Sequence, residues 1–299
     1  MKKVLISGGS GTIGTELTKQ LIERGIEVRW LSRSASTSYP GVKVFEWDPM
    51  RHDIDTEALK DVDTVFHLAG ANVAMRWNAE NKKTIVNSRV ESTLTFIRAW
   101  EEGAHKPNTF ISSSAVGYYP SNFTKTMHED DQPGNGFLND VVVQWENAVK
   151  QVEKYGIRTV RLRIGVVLSE DGGALGKMLP IYKMGLGSPL GSGKQWMPWI
   201  HLEDVARIFL HAATHDHMSG AYNTAAPNPV QNAEFSKALA NALGKPHFMP
   251  AVPTFALKLA MGSMAQIALD SNRVSTDKLA QTGFEWKWNE LEPALKDTL

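Results

Sequence analysis

Three glycines spaced three apart, Gly8, Gly11 and Gly14, lie between a short apolar run, Val4–Ile6, and an amphipathic stretch, Thr12–Arg24. A glycine-rich turn that leaves a strand and opens a helix is a demanding arrangement. Gly8 permits the tight turn, Gly11 lets a ligand approach the backbone, and Gly14 lets helix and strand pack closely. The amides of Thr12 and Ile13 then point outward with the positive end of the helix dipole, which makes the loop a cradle for a pyrophosphate. An ordinary glycine-rich turn is the alternative, but it gives no reason for this placement.

The same alternation continues along the chain. Val4–Ile6, Glu27–Leu31, Val42–Phe45, Thr64–Leu68, Thr109–Ser112 and Thr159–Ile164 are short runs rich in β-branched residues, and helical patterns fall at Thr12–Arg24, Ala79–Glu102 and Phe137–Tyr155. Parallel strands need long, right-handed crossovers, so the pattern predicts an α/β chain with a doubly wound Rossmann parallel sheet. Beyond Leu168 the alternation fades. Glycine and proline cluster over Gly172–Gly193, helices read at Glu203–Thr214, Asn232–Leu243 and Thr254–Leu269, and one further strand reads at Ala221–Thr224. The expected organisation is a nucleotide-binding core over residues 1–168. Residues 169–299 then form a small C-terminal α/β lobe on the substrate side, with some segments returning to the core.

The end of the second strand selects the nucleotide. NAD-binding sheets place a carboxylate there to grip the ribose 2′-hydroxyl. Here the chain reads Ser32-Arg33-Ser34. No carboxylate repels a 2′-phosphate, and Arg33 offers a planar fork for one, so NADP(H) is the expected cofactor. An arginine simply solvated at a strand end is the competing reading. Asp48, after the third strand, either borders the adenine or is a solvated turn residue.

These residues resemble the extended short-chain dehydrogenase/reductases, the NAD-dependent epimerase/dehydratase group, over nearly the whole chain. The resemblance rests on the turn His67-Leu68-Ala69-Gly70, the strand Ile111-Ser112-Ser113-Ser114, the segment Leu162–Leu168 and the segment Trp199–Val205. Arg76-Trp77, Asn87–Glu91, Ser114–Tyr119, Gly191–Trp196 and Tyr222–Val230 are similar to the subfamily called epimerase family proteins. The resemblance implies cofactor contacts from Leu68, Ala69, Gly70, Arg89, Ser112, Arg163, Gly165 and Val166, beside those of the glycine loop. It also implies a catalytic serine, Ser114, and a substrate side built from Trp77, Gln195, Trp196, Trp199 and His201. For the tryptophans, core packing competes with a pocket wall; for His201, a structural hydrogen bond competes with chemistry.

One part of the family pattern is missing. Its general acid/base is a tyrosine four residues before a lysine, whose charge lowers the phenol's pKa. If Glu146 takes the place of the family's glutamate after that lysine, the two positions fall on Val142 and Leu138, and neither side chain moves protons. Tyr118 or Tyr119 is the candidate substitute, with Lys125 or His128 as the nearby charge; packing tyrosines are the alternative.

Composition removes other functions. Lys plus Arg and Asp plus Glu both number 32, so nucleic acid is not an expected partner. The absence of cysteine removes thiolate metal sites and disulfides and agrees with a reducing, cytoplasmic setting. The apolar run after Met1-Lys2-Lys3 is too short for a signal peptide, and Phe248–Leu269 carries prolines and a lysine that disfavour a membrane span. His211, His215 and His217 share a helix end without a carboxylate, which is weak support for a metal, so none is expected. The resemblance implies a homodimer formed through the two long helices Ala79–Glu102 and Phe137–Tyr155, although their charges suit solvent equally. The expectation is an NADP(H)-dependent oxidoreductase or epimerase acting on a small carbonyl, hydroxyl or sugar-nucleotide substrate. A non-catalytic NADP(H)-binding sensor is the reading from another class.

Overall fold

A computed structural model of the chain describes residues 1–34 and 37–299. In its first half the order is β1 (Lys3–Ser7), α1 (Thr12–Glu23), β2 (Glu27–Ser32), β3 (Lys43–Asp48), β4 (Asp53–Ile54), β5 (Thr64–His67), α2 (Ala79–Glu101), β6 (Thr109–Ala115), β7 (Thr126–Met127), α3 (Phe137–Gln151), β8 (Arg158–Ile164) and β9 (Val166–Leu168). There follow α4 (Gly173–Lys183), β10 (Trp196–Met197), β11 (Trp199–His201), α5 (Leu202–Thr214), β12 (Gly220–Thr224), β13 (Val230–Gln231) and α6 (Asn232–Ala242). The chain ends with α7 (Thr254–Met261), α8 (Gln266–Leu269), β14 (Arg273–Val274), α9 (Asp277–Ala280) and α10 (Leu291–Thr298).

The main sheet has the order β12-β8-β6-β5-β1-β2-β3-β4. All its pairs are parallel except the short edge pair of β3 with β4. The period-two alternation of β1 sends Val4 and Ile6 to one face, with Leu17, Leu21 and Phe209 of α1 and α5, and Leu5 to the other, with Phe96 and Trp145 of α2 and α3. This is the doubly wound arrangement, in which ligands bind beyond the carboxyl ends of the strands where the order reverses. Here β1 and β5 flank that reversal. The strand β12 of the second half lies in this sheet, against β8.

The second half has its own core, where Leu175, Leu179 and Tyr182 of α4 meet Trp199, Phe235, Leu239 and Leu295. Two expectations are corrected here. The glycine- and proline-rich stretch after Leu168 contains a helix, α4, with Pro180 inside it, held by the buried spacing Leu175, Leu179, Tyr182. The helix expected over Thr254–Leu269 is broken at Gly262, whose φ of 61° starts a 3₁₀ turn between α7 and α8. Among the described residues no helix is long and apolar enough to cross a membrane.

Candidate functional site

The glycine loop is shaped by contacts that leave no room for side chains. Gly8 adopts a φ of 77°, and a Cβ there would stand 2.9 Å from the Leu68–Ala69 backbone. A Cβ on Gly14 would stand 2.4 Å from the Gly8 carbonyl, and one on Gly9 would overlap the Trp30 indole at 2.4 Å. Trp30 is fixed in turn by a hydrogen bond of 2.9 Å from its Nε1 to Thr18 Oγ1. The N-cap of α1 is Gly11, which supplies no side-chain cap. Among the described residues the first-turn amides of Thr12, Ile13 and Gly14 therefore receive no side-chain cap and are available to an anion.

The neighbouring strand ends complete this edge. Arg33 follows β2, exposed and without a partner among the described residues. Ser32 Oγ accepts from the Ser34 amide at 3.1 Å and donates to Thr37 Oγ1 at 2.8 Å, bracing the turn that carries Arg33. Asp48 Oδ1 accepts from the Met50 amide at 3.0 Å, the turn role weighed for it. At the end of β5 the Leu68 amide bonds the Ser7 carbonyl at 2.9 Å, which brings Ala69 and Gly70 beside the loop. Against Gly70 lies Arg89: a Cβ on the glycine would meet its guanidinium carbon at 3.2 Å. Its other side faces the Trp145 ring at 5.1 Å. Among the described residues no carboxylate pairs with Arg89, and burial pushes it down to about 10. An anionic group arriving here would gain a strong, charge-assisted hydrogen bond.

The corner around Ser114 is built differently. Ser114 Oγ donates to Glu146 Oε1 at 2.7 Å. Arg163 grips the same carboxylate with two bonds, Nε to Oε1 at 2.8 Å and Nη2 to Oε2 at 3.0 Å. Its Nη1 donates to the Tyr119 hydroxyl at 2.8 Å and to the Glu129 carbonyl at 3.0 Å. The Tyr119 hydroxyl donates to Asn223 Oδ1 at 2.7 Å. All five side chains are buried. Burial alone would raise the Glu146 pKa, but the bonds and charge of Arg163, with Ser114, hold it below the usual carboxylate range. Burial pushes the Tyr119 phenol up in spite of Arg163, so it resists ionisation.

The two positions of the missing acid/base pair are filled by packing. A Cβ on Gly117 would meet Leu138 at 3.9 Å and Val142 at 4.0 Å. Between them in sequence, Asn139 Nδ2 donates to the carbonyls of Gly117 and Tyr119 at 2.9 and 2.8 Å, which fixes the turn bearing both tyrosines. Tyr118 is half-buried, its ring 3.6 Å from the Arg163 guanidinium carbon, and its hydroxyl has no hydrogen-bond partner among the described residues. Lys125 is paired with Asp131 instead of approaching either phenol.

The other expected residues divide by place. Ser112 Oγ turns back to the Ser113 carbonyl at 2.8 Å, and the Gly165 and Val166 amides bond the carbonyls of Thr224 and Pro198 at 3.0 and 2.7 Å. Gln195 lines a groove of about 580 Å³ in the second half, together with Phe123, Ser192, Lys258, Gln266 and Asp270. Trp196 stands next to it, its Nε1 donating to the Phe123 carbonyl at 3.2 Å. Trp77 packs on Phe137 with Met264, a contact between the two halves. Trp199 and His201 are not brought to this groove. Trp199 is in the core of the second half, and His201 caps α5, accepting the Glu203 amide at 3.2 Å while its ring lies 4.9 Å from Trp288.

His67 is also internal, its Nδ1 2.6 Å from Ser7 Oγ and its ring against Phe96 and Phe110. His211 and His215 stack at 3.7 Å, and among the described residues no group of three or more His, Asp or Glu is placed to hold a metal. Sequence reasoning missed Asn139 and Asn223. Neither carries a local signal, since each acts on chain segments far away.

Comparison with known proteins agrees with this architecture. Residues 4–225 match the model of the NAD dependent epimerase/dehydratase family, and residues 252–298 match a domain of unknown function. The mouse epimerase family protein SDR39U1 is 37% identical over 302 residues, covering 99% of each chain. An epimerase family protein of Staphylococcus epidermidis is 36% identical over 303 residues, covering 100% of this chain and 99% of that one. The crystal structure of human SDR39U1 with NADPH superposes with a TM-score of 0.87 at 34% identity, over 99% of this chain and 98% of that one.

Proposed function

This chain belongs to the NAD dependent epimerase/dehydratase family, and we propose that it is a member that binds NADP(H) as a holding or sensing protein, without the family's proton relay. The pyrophosphate rests on the amides of the Gly8–Gly14 loop, Arg33 with Ser32 and Ser34 takes the 2′-phosphate, and Arg89 answers a further negative charge. The human relative's structure with NADPH supports this choice of cofactor. The observation that carries the rest is the closed network at Ser114. Its hydroxyl hydrogen is spent on Glu146 at 2.7 Å, so it cannot polarise a substrate oxygen by donating. Tyr119 is spent on Asn223.

A second reading, an NADP(H)-dependent oxidoreductase of a small carbonyl or hydroxyl compound, is favoured by one observation: among the described residues the Tyr118 hydroxyl has no hydrogen-bond partner. In that reading Gln195, Trp196 and Trp77 border the substrate. The deciding experiment titrates the protein with NADPH and NADH by nicotinamide fluorescence and then screens carbonyl compounds for oxidation of bound NADPH. Preference for NADPH, weakened in Arg33→Asp, with no substrate-dependent oxidation is the expected result. Turnover that disappears in Tyr118→Phe establishes the oxidoreductase instead.

A further inference from the structure

Beyond the α3 side of β8 and β12, a cleft of about 820 Å³ opens between α3, α9 and the loop His128–Gln132. Its floor holds cations that the fold answers only in part. Arg161 and Ala221 are partners in register, and Lys278 Nζ donates to the Ala221 carbonyl at 2.7 Å, so guanidinium and ammonium flank one residue. Arg161 is 7% exposed. One of its Nη atoms meets Glu153 Oε1 at 3.2 Å, but among the described residues its Nε has no hydrogen-bond acceptor, the Glu146 carboxylate standing 3.9 Å away. Among the described residues neither Lys278 nor Lys150, exposed near the end of α3, has a carboxylate partner. Burial and the like charges of Arg161 and Arg163 pull the Lys278 pKa down, against the opposing pull of Glu129 and Asp130 on the rim. Five carboxylates also line the cleft, and four of them are already engaged: Arg163 grips Glu146, Asp131 pairs with Lys125, Glu129 Oε1 accepts the Asn223 amide at 2.8 Å, and Asp277 Oδ2 accepts the Ser275 hydroxyl at 2.8 Å, with Asp130 left on the rim.

Among the described residues, a buried donor without an acceptor and a half-buried lysine without a counter-ion face one cleft, a cost that a bound anion removes, and exposed Lys150 adds a further positive charge at its rim. We propose that this cleft is a second ligand site, which takes a small organic molecule through its phosphate group, held between Lys278, Arg161 and Lys150. A dianion answers more than one cation at once, and the volume accommodates more than a bare phosphate, being within the range of about 300–1,000 Å³ typical of small-molecule sites. The site is separate from the glycine loop and goes beyond the nucleotide-binding reading.

The test is isothermal titration of inorganic phosphate into the full chain, at constant ionic strength maintained with chloride. Saturable phosphate binding is expected, weakened about tenfold or more in Lys278→Met and in Lys150→Met and unchanged in Arg33→Asp, which alters the other anion site. Lys150 is exposed, so its variant remains informative if Lys278→Met folds poorly. Binding that is absent, or that ignores both lysine substitutions, overturns the proposal.

Discussion

The glycine loop and the Ser114 corner stand at the ends of β1 and β6, with β5 between them, yet they keep their polar groups in opposite states. The loop holds its donors open: Gly11 caps α1 with no side chain, and Arg33 has no partner among the described residues. The corner closes the donors of Ser114, Arg163 and Tyr119 on internal acceptors, from Ser114 through Glu146 and Arg163 to Tyr119 and Asn223. An open set of donors is held ready for a ligand at some cost to the free protein, whereas a closed set contributes to the fold and offers little to a visitor. The two regions should therefore fail in different currencies when altered, one in binding and the other in stability.

The largest effect is expected at the corner. Glu146→Ala strands Arg163 in the interior and should cost about 3–5 kcal/mol of unfolding free energy by urea titration, with nucleotide affinity recoverable where the protein is still folded. Acid probes the same side. The Glu146 carboxyl is held below its ordinary 4.5, so its contribution is complete above that value and is lost as pH falls through the lowered one. His67, pulled from 6.5 to about 3 by burial with some help from Arg89, stays neutral in the fold while the unfolded chain protonates. Between pH 6.5 and 3 its share of stability should fall by up to about 1.4 kcal/mol per pH unit, read from urea midpoints across that window.

The loop should break the other way. Gly14→Ala places a methyl 2.4 Å from the Gly8 carbonyl and should weaken NADPH binding by roughly a hundredfold, about 2.7 kcal/mol, measured by fluorescence titration. Arg33→Asp should cost NADPH about 1.5–3 kcal/mol while leaving NADH nearly untouched, which separates the 2′-phosphate from the rest of the nucleotide. The smallest effect belongs to Tyr118→Phe: its hydroxyl makes no hydrogen bond among the described residues, so stability should change by no more than about 0.5 kcal/mol in urea. A larger loss would mean that the corner is less closed than its bonds indicate.

What could be read beforehand follows the range of the forces involved. The seven parallel strands and α1 to α3 announce themselves because period and turn residues are local; Gly8 to Gly14 are legible for the same reason. α4 hid behind glycines and Pro180, although Leu175, Leu179 and Tyr182 carried its spacing. Ser114 could be picked out from its strand, but not its engagement. Glu146 is 32 residues away, and Tyr119 finds Asn223 at a separation of 104, distances over which no pattern in the chain specifies a hydrogen bond. Trp199 and His201 shared this difficulty, since motif order placed them near the substrate side while packing took them into the second half's interior.

The position of Asn223 has a consequence for how the molecule comes apart. It sits on β12, the edge strand that pairs with β8 in the main sheet, and it completes a chain of bonds begun on β6 and α3. If β12 frays, Tyr119 and Arg163 lose their outer support together, so the penalty for partial opening is carried by charges deep in the first half. The boundary expected from the sequence near residue 168 should then not behave as a seam. Limited proteolysis should yield no stable fragment ending there, and both halves should melt in one cooperative step.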